Sequence, residues 1–202
     1  MIVSLIKGTK INNLKLPDVI KGSFWVTDYD SNNNLNNIIN IEAFNGSWKM
    51  FSNEDVSIIS DNKEQDSIIL SDYSFYVLKL KKRDTLVLLY CSPSYDKTYK
   101  RYLVDTDVTI KIGSSIDNNI CFDSYGVDEQ HAKIEYNNGN YYIVDNNSRL
   151  GTYVNNIRVR YQQKLTNGDL IFITGLKIII LMEDNKILFI INSNVYDIKF
   201  KK

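Results

Sequence analysis

Short stretches in which apolar and polar residues alternate run through the whole chain, separated by polar turns. Ala132–Tyr136 (AKIEY) and Tyr141–Asp145 (YYIVD) alternate with a period of two, the period of a strand that buries one face. Asn138-Gly139 stands between them, a pair that tolerates positive φ and so closes a two-residue hairpin. Asn45-Gly46 stands in the same way between INIEAF and SWKMF. MIVSLIK and KINNLKL predict two strands joined around Gly8-Thr9. VLKLKKRDTLVLLYC predicts a hairpin around Arg83-Asp84, and LTNGDLIFIT and GLKIIILME supply closing strands after an Asn167-Gly168 turn. KILFIINSNVYDI predicts a last hairpin around Asn192-Ser193. Helix signals are poor, because Asn, Asp, Ser, Thr, Tyr and β-branched residues favour turns and strands. The expected fold class is all-β, of the sandwich type.

The two Asn-Gly hairpins keep a constant distance. Ile41-Glu42 answers Ile134-Glu135, and Asn45-Gly46 followed by Trp48 answers Asn138-Gly139 followed by Tyr141, each at an offset of 93 residues. A fixed offset is what a duplicated domain leaves in a sequence. The chain therefore divides into residues 1–95 and 96–202, with Pro93 in the polar stretch SPSYDKTYK marking the boundary. Asp28–Asn37 (DYDSNNNLNN) reads as a surface loop.

Charge narrows the function classes. The 202 residues carry 24 basic and 24 acidic side chains, and the balance holds in both halves, so nothing here steers a nucleic acid or an anionic membrane. Cys91 and Cys121 lie among apolar neighbours, one in each half, and read as buried free thiols. MIVSLIKG lacks the features of a signal peptide, and the longest apolar runs, such as IIILM, are too short to span a bilayer. Cys121, Asp128 and the chain's one histidine, His131, lack the three or four converging ligands of a metal site and the base and orienting group of a nucleophile. Neither catalysis, metal nor cofactor is expected.

The central stretch runs from Val108 to Asn156. TIKI ends in Gly113, His131 heads the strand AKIEY, and Asp145, Ser148, Gly151, Thr152, Val154 and Asn155 complete a D-x-x-S-x-x-G-T-x-V-N pattern. This order resembles the forkhead-associated (FHA) domain, a β-sandwich whose loops at one end bind phosphothreonine peptides. The resemblance implies loop-shaping roles for Gly113, His131, Gly151, Thr152 and Asn155. Gly113 and Gly151 are expected to allow tight, positive-φ connections, and Thr152 and Asn155 to pin loop backbone.

Three departures fall on the family's ligand-contacting positions. Ser114 stands where an Arg grips the phosphate, Asp128 where a Ser contacts it, and Leu150 where an Asn holds the peptide backbone. Residues 1–95 then read as a degenerate FHA-like unit, with no matching His and with EDVSII in place of the Gly-Thr loop. Arg149, Arg158 and Arg160 form a basic cluster that either holds an anion or is a solvated strand face. Tandem FHA-like units with eroded grips resemble the N-terminal cytoplasmic region of EssC-type ATPases of type VII secretion. That resemblance implies an assembly module tethered to the cytoplasmic membrane, with protein partners within the secretion machinery and self-association among its options. The alternative is a phosphothreonine-reading signalling module that uses Arg149.

Overall fold

The computed structural model describes residues 1–52, 56–58, 67–70, 75–80, 83, 85–91, 100–105, 108–183, 186–191 and 198–201. These residues contain strands and turns and no helix. The chain separates into two compact units, Met1–Asp96 and Lys97–Lys202. The fold is two β-sandwiches in tandem.

In the first unit the strands are β1 (Ile2–Lys7), β2 (Lys10–Lys15), β3 (Lys21–Tyr29), β4 (Leu35–Phe44), β5 (Ser47–Ser52), β6 (Val56–Ile58), β7 (Ser67–Leu70), β8 (Phe75–Leu80) and β9 (Leu86–Tyr90). They form one sheet in the order β2-β1-β9-β8-β6 and a second in the order β3-β4-β5-β7. Val3, Val87 and Leu78 from the first sheet meet Val26, Ile41, Met50 and Leu70 from the second in one buried cluster. The expected β1–β2 and β8–β9 hairpins form. Asp28, buried at the end of β3, accepts the Lys7 ammonium at 2.7 Å and the Thr85 hydroxyl at 3.0 Å, so its charge is met where three strands converge.

In the second unit the strands are β10 (Lys100–Asp105), β11 (Ile110–Gly113), β12 (Ile120–Cys121), β13 (Ala132–Asn137), β14 (Asn140–Asp145), β15 (Tyr153–Val154), β16 (Ile157–Arg158), β17 (Gln162–Lys164), β18 (Leu170–Ile173), β19 (Leu176–Glu183), β20 (Lys186–Ile191) and β21 (Lys199–Phe200). Their sheets run β10-β20-β19-β18-β15-β16 and β17-β14-β13-β11-β12-β21. Ile112, Ile134 and Ile143 of one sheet face Val154, Ile171, Ile178 and Phe189 of the other across a single core. β20, a nearly continuous apolar run, lies between β10 and β19.

Both Asn-Gly pairs make the expected turn. Asn45 and Gly46 have φ of 47° and 78°, and Asn138 and Gly139 have 50° and 78°, the left-handed pair that a type I′ hairpin requires. Their ladders share one register at the 93-residue offset: Ile41 opposes Met50 as Ile134 opposes Ile143, and Phe44 opposes Ser47 as Asn137 opposes Asn140. The preceding connection differs. Phe24 opposes Ile41 and Ile110 opposes Ile134, a separation of 17 residues against 24. The first unit joins β3 to β4 through a short Asp30–Asn34 turn, where the second inserts β12 and a long loop.

The turn and most of the second arm of the expected hairpin around Asn192-Ser193 lie outside the described residues. β20 joins the β10 sheet, while β21 crosses to the other sheet and runs antiparallel to β12. Phe200 stacks on Tyr102 with ring centroids 4.1 Å apart, and Ile198 is buried in the core.

Candidate recognition loops

The loops at one end of the second sandwich are built around glycines and buried polar side chains. Gly113 ends β11, and a Cβ there would stand 2.4 Å from the Glu129 carbonyl and 2.7 Å from that of Asp128. Its φ is not positive, contrary to the expectation, and what it supplies is space. The Ser114 amide donates to the Asp128 carbonyl at 3.0 Å, and the Ser115 amide to that of Glu129 at 3.2 Å. Asn118, fully buried, donates from Nδ2 to the carbonyls of Ser115 (3.0 Å) and Glu129 (2.6 Å). Sequence reading missed Asn118, since nothing local distinguishes it from its neighbour Asn119.

His131 is fully buried and ties three segments together. Its Nδ1 accepts the Asp128 amide at 3.2 Å and its Nε2 donates to the Gly151 carbonyl at 3.3 Å. A carbonyl can only accept, so these partners assign the neutral tautomer with hydrogen on Nε2. The Asp128 carboxylate lies 3.8 Å from Nδ1, but that nitrogen already accepts an amide hydrogen, so the contact is not an ion pair. Asp128 Oδ2 instead accepts the Arg149 amide at 2.7 Å, stapling one loop to the other. The arrangement leads to a stability prediction: His131→Ala should lower stability by about 1–3 kcal/mol, the usual cost of stranding buried polar partners. An unchanged melting temperature would contradict it.

Asp145 closes β14 and organises the second loop. Its Oδ1 accepts the hydroxyls of Ser148 (2.6 Å) and Thr152 (2.7 Å), and its Oδ2 accepts the Ser148 amide at 3.0 Å. Burial pushes its pKa up, but the hydrogen bonds from Ser148 and Thr152 outweigh burial and hold it below the usual carboxylate range. Gly151 follows with φ of 84°, and Asn155 with 48°. The Asn155 side chain donates to Asp169 Oδ1 at 2.8 Å and accepts the Leu170 amide at 2.9 Å, pinning β15 to β18.

The ligand-side positions sit on this frame. Ser114 is half-buried, and the Cys121 thiol donates to its carbonyl at 3.4 Å. Leu150 is 46% exposed and lies across Gly126, where a Cβ would meet its Cδ1 at 2.2 Å. Arg149 holds its guanidinium 5.8 Å from the centroid of the exposed Tyr125 ring. Arg158 and Arg160 are placed elsewhere: they line an open cleft of about 780 Å³ with Asp145, Asn147, Ser148 and Tyr161, and Arg149 does not line it. The basic cluster of the sequence is therefore split in two. Among the described residues no three His, Cys, Asp or Glu side chains converge to hold a metal, and Cys91 and Cys121 are both buried thiols. Among them, too, no helix is long and apolar enough to cross a membrane.

A β-sandwich that spends its buried polar groups on holding loops at one end defines a recognition module. Residues 110–173, just under a third of the chain, match the family model of the FHA domain, so the second unit carries an FHA domain. FHA domains are non-catalytic modules that bind protein partners. No curated protein matches the chain. Similar solved structures include Mycobacterium tuberculosis EmbR in complex with a low-affinity phosphopeptide, at 28% identity and a TM-score of 0.33, covering 50% of this chain and 26% of that one. The FHA domain of the CT664 protein from Chlamydia trachomatis is 21% identical with a TM-score of 0.34, covering 46% and 83%. The N-terminal FHA domain from EssC, a component of the bacterial type VII secretion apparatus, is 9% identical with a TM-score of 0.40, covering 100% and 97%.

Proposed function

We propose that this chain is an assembly module that binds protein partners independently of phosphothreonine. The observation that carries this reading is the state of the grip positions. Ser114 offers one neutral hydroxyl where the family places an Arg, and phosphate recognition rests on charge-assisted donors. Asp128 keeps its carboxylate at the loop junction, engaged with the Arg149 amide at 2.7 Å. A phosphate brought within about 4 Å of it would meet a repulsion of roughly 4 kcal/mol per unit charge at an effective dielectric near 20. Leu150 replaces the amide that would hold a peptide backbone and covers Gly126 instead.

The first unit, residues 1–95, is on this reading a degenerate FHA-like repeat, supported by the shared hairpin register and by the matched strand orders β3-β4-β5-β7 and β11-β13-β14-β17. Its shorter β3–β4 connection leaves no counterpart of the loop that carries Asp128. Tandem units with altered grips fit the cytoplasmic N-terminal region of an EssC-type ATPase, tethered to the membrane and contacting other secretion components. A gene that continues into transmembrane helices and P-loop ATPase modules supports that assignment, and one that continues into a kinase or transcription domain excludes it.

Calorimetric titration with a degenerate phosphothreonine peptide library, beside its unphosphorylated counterpart, tests the phosphate-independent reading. The expected result is no phosphate-dependent binding tighter than about 1 mM. Micromolar binding that requires the phosphate and is lost in Arg149→Ala would establish the signalling module instead.

A further inference from the structure

We propose that the cleft between the loop after β14 and the segment after β16 is a docking subsite for an acidic stretch of a partner protein, with Arg158 and Arg160 as its carboxylate receptors. This rests on the phosphate-independent reading above and supplies the chemistry of the partner.

Val159 is buried and its amide donates to the Thr152 carbonyl at 2.8 Å, which turns the middle of the segment inward. The residues on either side then project outward together, as alternate residues of an extended chain do. Both arginines line the cleft, and among the described residues neither makes an ion pair or side-chain hydrogen bond. Asp145 also lines the cleft, its oxygens bonded by Ser148 and Thr152, and its single negative charge is outweighed by the two positive charges of the arginines, so the cleft keeps a net positive charge.

Arg158 is positioned before any ligand arrives. Its guanidinium lies over Gly151, where a Cβ would meet Nε at 2.7 Å, so the absent side chain of Gly151 makes room for it. Tyr161, 81% exposed, adds a rigid hydroxyl-bearing ring at the rim, and Arg and Tyr are the side chains that most often anchor protein interfaces. None of Ser114, Asp128, Arg149 or Leu150 lines this cleft. A planar guanidinium matches a planar carboxylate in two parallel hydrogen bonds. Two such receptors two residues apart fit acidic side chains at alternate positions of an extended strand, about 7 Å apart.

The test is NMR titration of the whole chain, reading backbone amides and arginine Nε–H signals. The probes are the blocked peptide Gly-Glu-Ser-Glu-Gly, its Gly-Gln-Ser-Gln-Gly counterpart, and a blocked phosphothreonine peptide. The acidic peptide is expected to shift Arg158, Arg160 and Tyr161 saturably, and the amide peptide to leave them unmoved. Binding should weaken at least about tenfold in the Arg158→Gln/Arg160→Gln variant and measurably in Arg160→Gln alone, a change that leaves Gly151 uncrowded. Added salt should weaken it as well. No saturable shift, equal shifts from the amide peptide, or binding unchanged in both variants would overturn the subsite. Cleft occupancy by the phosphothreonine peptide alone would also overturn it. Phosphothreonine shifts centred on Ser114 and Asp128 would instead defeat the phosphate-independent reading, and would leave the cleft to be judged by the acidic peptide.

Discussion

Replacing Gly113 with alanine should destabilise the second sandwich by about 3 kcal/mol, the upper range for forcing a methyl group into a filled site. The added Cβ would stand 2.4 Å from the Glu129 carbonyl and 2.7 Å from that of Asp128. Both carbonyls belong to backbone held by the Ser114 and Ser115 amides and by Asn118, so neither can withdraw without breaking those bonds. Gly139→Ala separates crowding from backbone conformation. A Cβ at Gly139 meets nothing within 4 Å, and its cost, about 1 kcal/mol, comes from φ of 78° alone. Both tryptophans, Trp25 and Trp48, lie in the first unit, so denaturant unfolding of the second needs its own probe, such as amide exchange along β11 and β13. A Gly113→Ala variant no weaker than Gly139→Ala would refute the close-approach argument.

Asp145→Ala should cost about 3–5 kcal/mol, because one carboxylate satisfies two buried hydroxyls and an amide. Thr152 is fully buried and Ser148 nearly so, and each would lose a charged acceptor that solvent cannot readily replace. The same carboxylate predicts the acid response. Its pKa is lowered in the folded state, so its contribution is present above the unfolded value near 3.8 and is lost as pH falls through the folded value. Asp145→Asn keeps the shape and removes the charge. It should therefore flatten stability against pH below about 4 while leaving the curve's shape near neutrality unchanged. Chemical unfolding of both variants between pH 2 and 7 checks the prediction, and an acid limb as steep in Asp145→Asn as in the parent chain would refute it.

Much of the fold was legible because the forces that set it are local. Alternation marks which side of a strand is apolar, and Asn-Gly supplies the two positive-φ residues that a tight hairpin requires. The hairpins at Asn45-Gly46 and Asn138-Gly139 followed from those rules, and their common register followed from the fixed offset. The loop pattern from Asp145 to Asn155 was legible through its resemblance to the FHA motif, and its bonds are local: Ser148 and Thr152 both donate to Asp145 within seven residues.

What the alternation along the chain determined was strands, turns and one loop motif, since each depends on neighbours a few residues away. Tertiary structure decided the rest, because each remaining feature depends on atoms distant in sequence. Gly113 is needed for two carbonyls that arrive fifteen and sixteen residues later, a crowding that no local rule can see. Asn118 earns its burial by reaching Glu129 across the loop, while Asn119 bonds to the backbone of Lys201 and Lys111 at the sheet edge. β21 pairs with β12, and Phe200 stacks on Tyr102 of the facing sheet, partners that lie far away in the sequence. Arg149 and Arg158, nine positions apart in the same basic stretch, were parted by folding: one lies beside Tyr125 and the other over Gly151, in the cleft that Arg160 shares.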